Sequence, residues 1–282
     1  MKAADLSPLA TPDGYFTIAA LDHRDALAAE LEAVGQQAGP EALLGFKRDM
    51  VLALGDRPSA VMLEPEYGLP ALASLVPKGV GITCAIEAQG YFTDPAAGNH
   101  LMPGWTPARV ASVGAHCAKL LVLYRHDRGA FTNDQERLVA SVVEQAAEAN
   151  VPMLIEPVPV DVVDDADRAE VIIESARRLG PYGPMILKLP YPGKGRTDEL
   201  DNAVGAHPWT LLSWGVGFDQ FAEQLAEACD SGCSGFTVGR ALWREAIEPS
   251  ARVEFSRTTL LDRFDQLGDI ARTGCRWQDR PQ

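Results

Sequence analysis

Five cysteines in 282 residues (Cys84, Cys117, Cys229, Cys233 and Cys275) are too few and too scattered for a disulfide framework. They fit reduced thiols. Cys229 and Cys233 are spaced like half a zinc site, but no second pair or nearby histidine completes it. His23, His100, His116, His126 and His207 form no His-x-His or His-Glu-x-x-His pattern, so no metal site is expected. Mg²⁺ held by carboxylates alone stays open. Basic residues nowhere cluster, and 25 of them face 39 acidic ones, a net charge of −14 that repels nucleic acid. No apolar run reaches the roughly 18 residues that span a bilayer, so no membrane partner is expected. Met1–Asp5 lacks the apolar stretch of a secretory leader, and a cytoplasmic location is the expectation. No linker, repeat or low-complexity stretch divides the chain, which predicts one domain.

What is present is a core. Apolar residues make up 46% of the chain, enough to exclude disorder. Short apolar runs recur at Phe16–Asp22, Ala60–Glu64, Gly81–Glu87, Ala118–Tyr124, Met153–Val158, Met185–Pro190, Trp209–Gly215 and Gly235–Arg240. Continuous runs of this length suit parallel strands covered on both faces. Helical patterns lie between most of them. One opens at Asn133 with Glu136 as its capping partner, and others span about 166–179 and 218–230. Leu260, Leu261, Phe264, Leu267 and Ile270 predict a C-terminal helix over about 251–275, packed on the rest. Eight strands alternating with helices predict an α/β fold, a single-domain (β/α)8 TIM barrel. A doubly wound sheet is the runner-up, but the first strand is not followed by Gly-x-Gly-x-x-Gly.

In such a barrel the carboxyl ends of the strands carry the chemistry. Those ends hold Asp22-His23-Arg24, Glu64 and Glu66, Glu87, Tyr124-Arg125, Ser213-Trp214-Gly215 and Gly239-Arg240, with Glu156 inside the fifth run. Lys119 starts the fourth run and Lys188 sits in the sixth. Lysines in apolar strands are unexpected, because burial disfavours the ammonium ion. Lys188 reads either as a strand-end lysine that snorkels to water or as a Schiff-base nucleophile. An amine attacks a carbonyl only when unprotonated, and a dry site beside a second cation, here Lys119, supplies free amine. Lys119 reads equally well as the partner of a barrel carboxylate. Glu156 is either such a partner or a general acid/base with a pKa raised by its apolar neighbours. Asp22 and Arg24 read as an ion pair or a ligand clamp.

The last two strands carry an anion signal. Ser213-Trp214-Gly215-Val216-Gly217 and Gly235-Phe236-Thr237-Val238-Gly239-Arg240 each precede a helix. Backbone N–H groups at such glycine turns bind phosphate, commonly after strands seven and eight, and Arg240 adds a bidentate grip. The competing reading is that the glycines only permit tight turns.

These residues resemble the class I aldolase family that contains tagatose 1,6-bisphosphate aldolase and sulfofructose-phosphate aldolase. The similarity runs from Leu21-Asp22-His23-Arg24 to the final helix. Glu64-Pro65-Glu66-Tyr67-Gly68 looks like the tagatose branch. Leu123-Tyr124-Arg125-His126-Asp127, Ile155-Glu156-Pro157 and Gly193-Lys194-Gly195 look more like the sulfosugar branch. Gly114 through Lys119 and Gly239-Arg240-Ala241-Leu242-Trp243 are similar to signatures of both. The resemblance implies a metal-free, cofactor-free Schiff-base aldolase with Lys188 as imine lysine and Glu156 as acid/base. It implies Lys119 as the second active-site lysine, with Asp22 and Arg24 in the polar cluster after strand one. Two departures fall near the sugar: Lys188-Leu189-Pro190 replaces the family's Lys-Val-Glu, and His23 replaces its glutamine.

The expectation is therefore a lyase that reversibly cleaves a phosphorylated ketose to dihydroxyacetone phosphate and an aldehyde. Ser213, Gly215, Gly239 and Arg240 would hold one phosphate, and His23, Arg24 or Arg125 would face the far end. The rivals are a phosphosugar isomerase or epimerase on the same barrel and a non-catalytic sugar-phosphate sensor. A homo-oligomer is expected from the resemblance and from the prevalence of symmetric dimers. Because the substrate is an anion, Arg24, Lys119, Arg125, Lys188, Lys194 and Arg240 are expected to surround the barrel mouth, with the excess acid elsewhere.

Overall fold

The apolar runs become strands whose every residue is buried, because a parallel barrel covers its strands on both faces. In the computed structural model, which describes residues 5–280, the strands are β1 (Phe16–Ala20), β2 (Ala60–Leu63), β3 (Gly81–Ala85) and β4 (Cys117–Tyr124). β5 (Met153–Pro159), β6 (Ile186–Leu189), β7 (Trp209–Leu212) and β8 (Gly235–Val238) complete them. They pair in parallel in chain order, and β8 pairs back onto β1 to close the barrel. The chain is a single-domain (β/α)8 TIM barrel. Residues 1–4 of the N-terminal segment lie outside the described residues.

The helices are α1 (Asp25–Ala33), α2 (Pro40–Leu54), α3 (Gly68–Leu72), α4 (Pro107–Ser112), α5 (Ala130–Glu148) and α6 (Asp165–Leu179). After them come α7 (Thr197–Val204), α8 (Phe218–Asp230), α9 (Arg240–Trp243), α10 (Pro249–Arg257) and α11 (Thr259–Ala271). Side chains of a strand alternate between the helix layer and the barrel interior. Phe16, Ile18, Met62, Cys117, Leu154 and Ile186 fill the interior's deeper part with Leu9 of the N-terminal turn. Two residues along β4, β5 and β6, the same alternation brings Lys119, Glu156 and Lys188 inward, one layer nearer the carboxyl ends.

Three details differ from the periodicity. α5 begins at Ala130, one turn before Asn133. Glu136 does not cap it but turns inward, accepting from Tyr124 Oη at 2.7 Å and Tyr182 Oη at 3.1 Å. The C-terminal helix is two helices, because the chain leaves helical geometry at Thr258 before α11 packs against α8 and the barrel. Asp164 caps α6 by accepting from the Asp167 N–H at 2.8 Å, which places its start one residue before the expected one. All five cysteines are free thiols. Among the described residues no helix is long and apolar enough to cross a membrane.

Candidate active site

A cleft of about 400 Å³ opens at the carboxyl ends of the strands. Asp22, His23, Arg24, Glu87, Lys119, Glu156, Lys188, Ser213, Gly215, Gly239 and Arg240 line it, so ten of the eleven sequence-predicted site residues meet there. The eleventh, Arg125, does not. Its Nε donates to Asp127 at 2.7 Å and its Nη1 to Asp167 at 2.6 Å, tying the loop after β4 to the start of α6. Those partners hold its guanidinium in an ion-pair cluster away from the cleft. Lys194 also lies outside it.

The floor is ionic. Lys119 is the third residue of β4, not its first, and the barrel's stagger pairs it with Ala85, the last residue of β3. That register lifts it to the level of the carboxyl ends. Its Nζ lies 3.0 Å from Asp22 Oδ2, 2.7 Å from Glu87 Oε1 and 2.9 Å from Glu156 Oε2. Burial alone would pull Lys119 down, but Asp22, Glu156 and Glu87 together raise it well above an ordinary lysine. It is a fixed cation. Lys188 Nζ lies 2.9 Å from the same Glu156 Oε2, so one carboxylate oxygen bridges two ammonium groups.

Of the two readings of Glu156, the structure shows the lysine partner, and the raised pKa of the other reading is not found. Burial does push it up, but Lys119 and Lys188 outweigh that push and leave it below an ordinary glutamate. Glu156 rests as a carboxylate, a proton acceptor. Asp22 is likewise held low, by Lys119 and Lys188 against burial. Glu87, noted at its strand end but given no role, is the third carboxylate around Lys119, and its Oε2 also accepts the Leu121 N–H at 3.2 Å. The signal available was its position after β3.

Arg24, between β1 and α1, is buried beside this layer. Its Nη2 donates to the Glu87 carbonyl at 3.1 Å, and Gln89, with its amide oxygen toward the guanidinium, accepts from it at 2.8 Å. His23 packs edge-on to Trp243, its ring centroid 5.2 Å away. Burial lowers His23 to about 4, with Lys188 and Arg240 adding to that effect and Asp22 opposing it. It is a neutral imidazole at pH 7.

The rim after β7 and β8 has a different character. Gly215 has φ of 77°, and a Cβ there would stand 3.1 Å from Arg240 Cζ and 3.2 Å from Arg244 Nη2. Glycine is needed both for the left-handed turn and for the approach of two guanidinium groups. A Cβ on Gly239 would meet His23 Cε1 at 2.7 Å. Arg244, missed by sequence reasoning although it stands one helical turn beyond Arg240, donates to the Gly215 carbonyl at 3.1 Å and to Glu30 at 3.0 Å. Arg240 has no hydrogen-bonding or ion-pair partner among the described residues. Burial and the neighbouring Arg244 pull its pKa down, the mark of a cation short of a counter-ion. Trp214, in the left-handed region at φ 48°, and Ser213 complete this rim.

Four cations (Arg24, Lys119, Lys188, Arg240) and four carboxylates (Asp22, Asp25, Glu87, Glu156) line the cleft and formally cancel. In a chain of net charge −14 the cleft is thus less acidic than the molecule around it, with four of the six cations expected at the mouth lining it and Arg125 and Lys194 outside it.

A family model described as "DeoC/LacD family aldolase" matches residues 16–245. Tagatose 1,6-diphosphate aldolase 2 of Enterococcus faecalis is 26% identical, over 100% of this chain and 97% of that protein. Tagatose 1,6-diphosphate aldolase of Lactococcus lactis is 26% identical, over 99% of this chain and 98% of that one. Among solved structures, an archaeal fructose 1,6-bisphosphate aldolase superposes with a TM-score of 0.68 at 17% identity, covering 95% of this chain and 98% of that one. At that identity the superposition speaks for the fold alone.

Proposed function

Because the chain belongs to the DeoC/LacD family of aldolases, and is thus a lyase, we propose that it cleaves a phosphorylated ketose through an imine on Lys188. The observation that carries this reading is the bridge of Glu156 Oε2 between Lys188 Nζ and Lys119 Nζ, each at 2.9 Å, on the floor of the cleft. A carboxylate beside the attacking amine takes up the proton the amine must lose. Lys119, pinned by three carboxylates, keeps a positive charge beside it.

The Lys188 amine adds to the C2 carbonyl, and protonated Glu156 returns its proton to the departing hydroxyl, which leaves as water. The protonated imine draws the C3–C4 bond electrons as the C4 hydroxyl gives its proton to Glu156, releasing an aldehyde. The enamine left on Lys188 is protonated at C3 and hydrolysed, releasing dihydroxyacetone phosphate and free lysine. Arg240, the Ser213 hydroxyl and the backbone of the Gly215 and Gly239 turns hold the phosphate next to C1. The chemistry uses no cofactor. The names of the tagatose 1,6-diphosphate aldolases similar to this chain support a ketose phosphate as the substrate class.

Borohydride reduction with dihydroxyacetone phosphate, followed by mass mapping, tests the reading. The expected adduct is on the Lys188 peptide. Its absence, or its persistence in Lys188→Ala, sinks the imine. An isomerase on the same barrel would keep substantial turnover in Lys188→Ala.

A further inference from the structure

Arg240 and the far wall of the cleft are unlike. With the strands closed in the order β1 to β8, the turns after β7 and β8 face β3 and β4 across the mouth. The wall on that side and beside it is built by Tyr91, Phe92, Leu121, Val158 and Pro159. Leu121 and Val158 belong to an apolar cluster that Tyr91 packs against. No cation without a partner stands there among the described residues. Arg24 is covered by Glu87 and Gln89 and faces Glu66 at 3.9 Å, and Lys119 is held by three carboxylates. Arg125, which the sequence offers beside Arg24 for a far anion, is spent on Asp127 and Asp167. Asp25 adds a negative charge to the cleft.

A phosphate brings about −1.5 to −2 charge and several strong acceptors into a site. It is recognised where donors are free to meet it, and desolvating it against an apolar wall is unfavourable. The cleft has a cation without a carboxylate partner at one end only; Arg24 keeps one donor, Nη1, without a hydrogen-bond partner, but its charge is met by Glu66 at 3.9 Å and Glu87 at 3.7 Å. We propose that the substrate is a ketose monophosphate, with its one phosphate at Arg240 and no phosphate at its far end. The inference rests on the aldolase reading for the substrate class, and it narrows that class away from bisphosphates. The far part of the sugar chain, which leaves as the aldehyde, lies against Tyr91, Leu121 and Val158. No unpaired cation there meets a second dianion.

The test uses hexitols, reduced ketoses with no carbonyl, which bind without forming an imine. Calorimetry would compare a hexitol 1-phosphate with the matching hexitol 1,6-bisphosphate on the whole protein. A recognised second phosphate would tighten binding by on the order of tenfold or more. The expected result is a bisphosphate bound no more than about threefold tighter than the monophosphate, with both weakened at least about tenfold in Arg240→Ala. A larger gain for the bisphosphate, or no binding of either hexitol, overturns the proposal. A second arm places a cation on the far wall at the exposed Phe92. Phe92→Arg is expected to raise the bisphosphate preference several-fold over wild type, and an unchanged preference counts against the assignment of that wall. Borohydride trapping on Lys188 reads the imine separately. Trapping with a strong bisphosphate preference defeats this inference alone, and failed trapping with no such preference defeats only the imine.

Discussion

Two lysines are fully buried among the described residues, and they do different things. Lys47 on α2 pairs with Glu64, which follows β2, and neither is accessible to water. Glu64 is then filled by the N–H groups of Tyr67 at 2.8 Å and Gly68 at 2.9 Å. The pair is closed on itself, lies outside the cleft and fastens α2 to the loop after β2. Burial holds Lys47 below an ordinary lysine, and Glu64 only partly restores it. Lys119 is buried as deeply, yet three carboxylates raise it, and one of them is shared with a second lysine on the floor of the cleft. A buried charge by itself therefore does not mark a site. A site is marked by a carboxylate with two competing cations and an open cavity beside it, because such a group can change proton partners without unfolding anything.

Catalysis separates the two lysines most strongly. Lys188→Ala should lose turnover by on the order of 10⁴-fold or more, since no other group supplies the imine nitrogen. Lys47→Met should keep kcat within about threefold in the folded fraction. Steady-state cleavage assays on protein checked by circular dichroism decide it. Comparable losses in both variants would erase the distinction between structural and reactive lysines.

Stability sharpens it next. Removing one partner of a buried pair costs about 3–5 kcal/mol because it strands the other charge. Lys47→Met should cost this much, and Lys47→Met/Glu64→Gln should recover most of it, because the network contains one pair. Lys119→Met should cost at least as much, and neutralising any single partner (Asp22, Glu87 or Glu156) should recover little. Urea unfolding of both cycles measures the coupling. Full rescue of Lys119→Met by one carboxylate would show that the three contacts are not shared.

The barrel was legible because each strand is a continuous apolar run with polar residues at its carboxyl end. Lys188, Glu156 and Asp22 lie on or next to such runs, and the structure brings them together. Levels and partners were hidden. Lys119 looks like a strand start until the stagger of β4 against β3 raises it to Ala85. Apolar neighbours of Glu156 are visible in the chain, whereas the two lysines that lower it come from other strands. Arg125 looked free because, besides its neighbour Asp127, the residues that engage it, Asp161 and Asp167, belong to the next βα unit. Lys47 lies on a helix, where a lysine draws no notice, and Glu64 reads as one more strand-end acid.

The rim extends the contrast from paired to unpaired cations. Arg240→Ala should raise KM by about 10- to 100-fold with a smaller change in kcat, since the phosphate is held in both ground and transition states. Arg125→Ala should leave both constants within about twofold, because its partners are structural. Equal effects from the two arginines would mean that the phosphate is not where Arg240 stands.

The smallest expected effect concerns His23, and its sign follows from burial. In the unfolded chain a histidine takes up a proton near pH 6.5, but His23 in the fold does so only at about 4. Between those values the unfolded state binds more protons, so stability falls as the pH is lowered from 6.5 toward 4 and is unaffected above 6.5. Asp22 and Glu156 are shifted down from ordinary carboxylates, so their contribution is present above about pH 4 and lost only below it. The two windows separate. His23 Nδ1 is buried without a hydrogen-bond partner, so an amide that cannot titrate is no worse accommodated electrically. His23→Gln should therefore remove on the order of 1–2 kcal/mol of the stability lost between pH 7 and pH 5, and leave the steeper loss below pH 4 in place. Urea unfolding at pH 7, 5 and 3.5 reads both windows. An unchanged slope between pH 7 and 5 would mean that His23 carries its proton in the folded cleft, and that the imidazole between Asp22 and Arg240 is a cation.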